Sequence, residues 1–303
     1  MSVKILNFKI KEVNAFKIII DTLTKIVSET IWTITNTENN FCGLEITTAD
    51  PSRSIFIKIQ IEKSNFTNFK SKYKKHEIGI NLEKLNKMLK CVETNDILNI
   101  YIIEENLQYL MIDIKRASTK GKKILKLPLI DLENEKKPLK KEEYEIIIST
   151  TSMIYKKIFK EYDNFENIKI ICNKTNVLFI YKDTTGAEIN DEYILNEDGI
   201  DINEYILNEV QIDNLNTNNK FIGVYQIKNL ILFAKCANLC EKIEIYMKNK
   251  DRLIVKLQTI NFGTIVISLP PINEDCIKNT DYNYSDDEEE IIIINNKHNK
   301  LCH

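Results

Sequence analysis

Gly79-Ile80-Asn81-Leu82-Glu83-Lys84-Leu85-Asn86-Lys87-Met88-Leu89-Lys90-Cys91, followed by Asn95-Asp96-Ile97-Leu98, is the stretch on which the fold reading turns. Leu82, Leu85, Met88 and Leu89 recur at the spacing that puts them on one face of a short helix. Lys84, Lys87 and Lys90 recur every three residues on another face. No side chain on this helix is suited to covalent chemistry. A lysine row held toward water by an anchored apolar side is either an ordinary solvated face or a surface that attracts a regular polyanion.

Composition narrows the choice. The chain has 303 residues, 43% of them apolar, enough for one large or two smaller domains. Its net charge of -2 is unevenly spread, for residues 273–303 carry eight acids against Lys278, Lys297 and Lys300. The remainder is slightly basic, and a nearly neutral body still binds DNA if its lysines gather on one surface. Seven cysteines with no paired spacing read as buried thiols in a reducing compartment. Cys236 and Cys240 have no neighbouring histidine, so no metal site is expected. Without a signal-peptide pattern or a membrane-length apolar run, the expectation is a soluble, intracellular protein. A shortage of arginine (Arg53, Arg116 and Arg252 only) reflects base composition and carries no mechanism.

Strands dominate. Ile55, Ile57, Ile59 and Ile61 alternate with Phe56, Lys58 and Gln60, and comparable runs cover 97–103, 109–114, 145–148, 168–172, 177–181, 243–247, 253–257 and 264–267. Helices are expected to begin near Ala15, Asn81, Thr151 and Val224. Each half of the chain thus holds a helix, several strands, a second helix and a closing hairpin, which predicts an internal duplication of an α+β unit. The domains expected are residues 1–131 and 144–272, with a charged, proline-containing linker over 132–143 and a disordered acidic tail over 273–303. Glu192-Tyr193-Ile194-Leu195-Asn196-Glu197 recurs at 204–209, a local duplication that lengthens a surface loop.

Catalysis is poorly supplied. Of three histidines, His298 and His303 fall in the tail, leaving His76. The seven glycines never cluster as a phosphate-cradling loop requires. Acidic residues are plentiful, but none stands paired in an apolar setting that would raise a pKa. The expectation is no enzyme, no catalytic residue, no metal and no cofactor.

Phe16 to Glu29, Trp32, Leu44-Glu45-Ile46 with Asp50-Pro51-Ser52, Gly79 to Leu98, Tyr155 to Glu161, Leu230 to Ala237 and Phe262-Gly263 to Pro271 follow one another in an order and spacing that resembles the proliferating cell nuclear antigen (PCNA) type of DNA sliding clamp. The resemblance spans roughly residues 1 to 272. It implies two similar α+β domains per chain in a head-to-tail homotrimeric ring, with sheets outside and helices lining the hole. The ring would encircle duplex DNA without reading bases, serving polymerase processivity and the docking of replication and repair proteins. By similarity, Lys17, Lys87, Lys90, Lys157, Lys160, Lys228 and Lys235 fall at DNA-facing positions, and Lys84 joins them from helical geometry. Ile18 and Thr24 replace lysines usual in the family, so the first helix should grip less.

Subunit joining in the family uses an edge strand from each domain. The candidates here are 123–127, with Ile124 and Leu127, and 177–181, with Val177, Phe179 and Tyr181; the alternative is two internal edges blunted by Lys122, Lys123 and Lys182. Partner peptides of the family bind beside the linker, where Ala49, Phe56, Leu139, Tyr144, Leu269, Pro270 and Pro271 map. Glu135-Lys136-Lys137 and Asp251-Arg252 replace apolar residues there, so the peptide motif should differ from the family's usual one. In the tail, Ser285 to Glu290 followed by Ile291 to Ile294 resembles a SUMO-interacting motif, set against a featureless solvated tail. The implied partners are duplex DNA, DNA polymerase, other clamp-binding proteins, a clamp loader and the chain itself, in a nucleus or at a cytoplasmic viral replication site. Two alternatives stand: a subunit of a heteromeric checkpoint-type or transcription-associated clamp, and a monomeric peptide-binding adaptor.

Overall fold

Alternating apolar and polar residues turn most of the chain into strands, since successive side chains point to opposite faces. The computed structural model describes residues 3–37, 41–119, 121–132, 144, 146–173, 176–183, 185–194, 210–213, 221–249 and 251–272. The expected linker beyond 132, Leu139, the second copy of the Glu-Tyr-Ile-Leu-Asn-Glu block and the acidic tail lie outside these residues. The first half runs β1 (Lys4–Ile10), α1 (Val13–Leu23), β2 (Glu29–Thr35), β3 (Gly43–Ala49), β4 (Phe56–Glu62), β5 (Phe66–Ser71), β6 (Lys75–Asn81), α2 (Leu82–Leu89), β7 (Ile97–Ile103), β8 (Asn106–Lys115) and β9 (Lys122–Pro128). The second half runs β10 (Ile146–Thr150), α3 (Ser152–Lys160), β11 (Asn167–Cys172), β12 (Asn176–Lys182), β13 (Glu188–Ile194), β14 (Val210–Asp213), β15 (Phe221–Gln226), α4 (Ile227–Ile231), α5 (Ala234–Ala237), β16 (Cys240–Met247), β17 (Leu253–Thr259) and β18 (Thr264–Leu269).

The same topology occurs twice. Five strands order as β5-β1-β7-β8-β9 in the first half and as β14-β10-β16-β17-β18 in the second. Four others order as β4-β3-β2-β6 and β13-β12-β11-β15. The second five-strand group and the first four-strand group fuse into one nine-stranded sheet, because β18 pairs antiparallel with β4, Ile267 opposite Ile57 and Ile265 opposite Ile59. Those four isoleucines are buried at the seam. Residues up to Ile272 consequently form one compact unit.

The aromatic core crosses the seam. Phe16 of α1 packs edge-on against Trp32 at 6.0 Å and lies 6.4 Å from Phe262, which precedes β18. In the second half Tyr155 and Phe159 pack at 4.7 Å, and the buried Tyr155 hydroxyl donates to the Leu230 carbonyl at 3.1 Å. A buried phenol without such a partner would destabilise the fold by about 1–3 kcal/mol.

Two sequence expectations need correction. The fourth helix does not start near Val224, because Phe221–Gln226 is strand β15, paired along its length with β11. The helix begins at Ile227 and breaks at Leu232 and Phe233 into α4 and α5. The segment 177–181 is not an edge either. Its strand β12 lies between β11 and β13, with Val177, Phe179 and Tyr181 fully buried, and the edges of that sheet are β13 and β15. β9, by contrast, is an edge strand, with Ile124 exposed and Leu127 buried.

Candidate nucleic-acid interface and partner surfaces

Helices from both halves form one contiguous layer: α2 packs on α1, α1 on α5, and α3 on both α5 and α4. In α2 the Asn81 side chain caps the first turn by accepting from the Lys84 amide at 2.9 Å. Leu82, Leu85 and Leu89 are buried and Met88 is half-buried, so Lys84, Lys87 and Lys90 are exposed, as the periodicity requires. Thr151 caps α3, whose Ile154, Tyr155, Ile158 and Phe159 are buried while Lys157 and Lys160 stand exposed in its last turn. Placement near a helix C-terminus suits a lysine. Lys228 on α4 and Lys235 on α5 are exposed as well.

Lys17 behaves differently from the other seven. It is half-buried, and its Nζ donates to the Val92 carbonyl just beyond α2, tying two helices of the layer rather than facing outward. Lys235 also has a neighbour, the Asp21 carboxylate at 3.5 Å. Asp21 in turn accepts from the Asn86 amide at 3.2 Å. Partial burial works to raise the Asp21 carboxyl, but Asn86 and Lys235 outweigh it and hold the group below the ordinary carboxylate range. Thr22 and Cys236 meet beside this pair at 3.5 Å. Sequence reasoning missed Lys25, exposed in the turn after α1, and Lys156, whose Nζ donates to Asn238 at 2.7 Å. The signal for Lys25 was its place at the end of α1, on the side of Asp21.

The peptide-pocket residues are only partly gathered. Tyr246, Ile254, Ser268, Phe56 and Ala49 lie opposite one another across five strands, in one row on one face of the nine-stranded sheet. Tyr144 packs edge-on against Tyr246 at 5.6 Å. Ala49, Phe56 and Tyr144 therefore share a surface, with Pro270 and Pro271 half-buried just past its β18 end. Leu269 does not belong to it, because alternation turns this side chain into the core opposite Leu253. Arg252 reaches over the row: its guanidinium lies 5.0 Å from the Phe56 ring and bonds the Ser268 hydroxyl at 2.6 Å, the Ser268 carbonyl at 2.8 Å and the Ser54 carbonyl. A planar fork so engaged covers the aromatic face that an apolar anchor would need.

No group of His, Cys, Asp and Glu able to hold a metal is found among the described residues. Burial pushes the Cys172 and Cys240 thiols up to about 12, so neither supplies a nucleophilic thiolate near neutrality. No described helix is long and apolar enough to cross a membrane.

Residues 5–136 match the family profile described as "Proliferating cell nuclear antigen, N-terminal domain". A solved PCNA from Entamoeba histolytica superposes with a TM-score of 0.74 at 20% identity, over 89% of this chain and all of that one. The chain resembles the PCNA-type clamps, in fold throughout residues 3–272 as described and in sequence over its first half. It is 24% identical over 79% of its length to a "Probable DNA polymerase sliding clamp" of Acanthamoeba polyphaga mimivirus, and the match spans about half (49%) of that relative's length. "Proliferating cell nuclear antigen 2" of Drosophila melanogaster is 21% identical over 88% of this chain and 97% of its own. The repeated α+β unit, the antiparallel sheets and the helix layer are those of the clamp fold. In this chain the strand matching the interior position of β4 is β13, which accounts for the misplaced edge.

Proposed function

We propose that the chain is a DNA sliding clamp: copies close head to tail, as a homotrimer, around duplex DNA and tether a polymerase and other replication or repair proteins without catalysis of their own. The carrying observation is topological. Within one chain β18 joins β4, while their counterparts in the other halves, β9 and β13, end their sheets unpaired among the described residues. An edge pair equivalent to a pair already joined continues the same seam from copy to copy, and a heterologous contact of this kind either closes as a ring or runs on as a filament. We read residues 1–131 and 144–272 as two copies of one domain on either side of that seam.

The lysines on α2, α3, α4 and α5 give such a ring point charges for phosphates, which retain DNA without fixing its sequence register. Partner segments would dock along the Tyr246 to Ala49 row, beside Arg252. The place of action is replicating DNA, in a nucleus or at a cytoplasmic replication site, with a separate loading protein to close the ring. Solution mass together with primer extension tests this. A species of three chains that lengthens the products of its cognate polymerase on a circular template supports the reading, and a stable monomer at micromolar concentration refutes it.

A further inference from the structure

The duplication allows the unjoined edges to be placed in register. Gly79, Ile31, Thr47 and Lys58 lie opposite one another across β6, β2, β3 and β4, as Val224, Lys169, Ile180 and Asn190 do across β15, β11, β12 and β13. Gly79 and Val224 each stand three residues before a helix start, so Asn190 is the counterpart of Lys58 and Asp191 of Ile59. On the other side Ile10, Leu98, Ile114 and Lys123 form one row, as Thr150, Ile243, Leu257 and Ile265 do. Leu98 and Ile243 each stand sixteen residues after a helix start, that of α2 and that of α4, so Lys123 is the counterpart of Ile265. The seam that sets Ile59 opposite Ile265 would set Asp191 of one copy opposite Lys123 of the next.

The same register places Glu188 opposite Lys126, Ile189 opposite Leu125, and Glu192 opposite Lys122. Glu188, Glu192, Lys122, Lys123 and Lys126 are all exposed, while Ile189 and Leu125 are half-buried on the inward side. Every charged position on the β13 edge thus meets the opposite charge on the β9 edge. A one-residue slip would put Glu192 opposite Lys123 but would swap every inward side chain outward. Asp191 adds a separate observation. Its carboxylate is half-buried beside the Tyr162 hydroxyl, which bonds it, and its Oδ2 has no further hydrogen-bond partner among the described residues, so that an ammonium arriving along the neighbouring strand would meet an open acceptor.

We infer that an acidic edge on β13 and a basic edge on β9 select each other, so that this chain assembles with its own kind in one register and in a salt-dependent way. The inference rests on the ring reading and adds to it which residues decide partner choice. Charge complementarity across an interface acts mainly through specificity, by penalising like charges brought together.

The test uses full-length chains and sedimentation over a salt series. Wild type is expected to form a ring whose dissociation constant rises about tenfold or more between low and half-molar salt, because exposed pairs are screened. Reversing one edge, Glu188→Lys with Glu192→Lys or Lys122→Glu with Lys126→Glu, should give chains that melt as folded monomers, with assembly weakened at least about tenfold per junction. The fourfold variant, with both edges exchanged, should regain the ring yet form no mixed rings with mass-tagged wild type. Lys122 also pairs with Asp113 at 3.0 Å, so a folding defect confined to its reversal is checked by the β13-edge variant, which leaves that pair intact. A wild-type chain that stays monomeric overturns the ring reading and this inference together. A stable ring that is indifferent to salt, tolerates either reversal or mixes freely with the fourfold variant overturns this inference alone.

Discussion

Neutralising the α2 lysines together, as Lys84→Gln, Lys87→Gln and Lys90→Gln, gives the sharpest test of the helix layer. The three span seven residues, about 9 Å of helix over six rises of roughly 1.5 Å each. Duplex DNA carries one charge per about 1.7 Å of axis, or about 3.4 Å along one strand, so the row spans two or three phosphates of one groove wall at most. One contact per copy in a ring of three is the conservative figure. Each contact contributes about 0.9 to the slope of log affinity against log salt, so three lost contacts flatten that slope by about 2.7. Over a fourfold change in salt the variant should therefore lose about 40-fold less affinity than wild type does. Fluorescence anisotropy on linear duplex across roughly 50 to 200 mM salt reads this directly. Lys70→Gln with Lys74→Gln, two exposed lysines on β5 and the turn after it, is the control. An unchanged slope in the α2 variant, or an equal flattening in the control, would refute the assignment of the helix layer to DNA.

Lys17→Met should behave in the opposite way, leaving the salt slope nearly unchanged while lowering stability by about 1–3 kcal/mol, since the Val92 carbonyl loses its donor; urea melts at fixed protein concentration measure this. Asp96 is buried and accepts from the Glu93 amide at 2.9 Å, the Ala117 amide at 3.2 Å and Arg116 at 3.0 Å, so Asp96→Ala should cost about 3 kcal/mol. Burial works to raise this carboxyl, but those donors outweigh it and hold the group below its ordinary value. Its stabilisation is therefore complete above about pH 4, where an unfolded aspartate titrates, and is lost as pH falls through the lower folded value. The gap between wild type and Asp96→Asn in denaturant melts should close on acidification, and a gap that widens would contradict this sign. Gly79→Ala should destabilise by about 1–3 kcal/mol, because a Cβ there would sit 2.1 Å from the carbonyl oxygen of Ile130, the residue whose amide donates to the Gly79 carbonyl; a melting curve equal to wild type would show that the exit of β9 shifts freely.

Much of the architecture was legible because periodicity survives in short windows. The α2 stretch predicted its buried and exposed faces residue by residue, and three of the four helix starts fall within two residues of the expected place. Val224-Tyr225 misled because β-branched and aromatic residues beside Gly223 belong to a strand that runs directly into a helix, and no cap residue marks the change. The true edge at Glu188–Ile194 was hidden for the reason that makes it an edge: charges replace the alternating apolar residues by which a strand is recognised. Lys17 and Arg252 were legible as residues but not as contacts. A long side chain chooses between solvent and a carbonyl only once the neighbouring element is in place.

The β4 to β18 seam also bears on where a ring of the proposed kind would give way. Inside a chain the seam is lined by Ile57, Ile59, Ile265 and Ile267, and Arg252 bonds across it from Ser268 to the Ser54 carbonyl. At the junction proposed between copies, the same positions would hold Ile189, Asp191, Lys123 and Leu125. A ring built on this plan is a chain of links with unequal strength, welded within each link and latched between them. A loading protein need only reach the latch, and a change in ionic conditions would loosen every latch while leaving every weld intact.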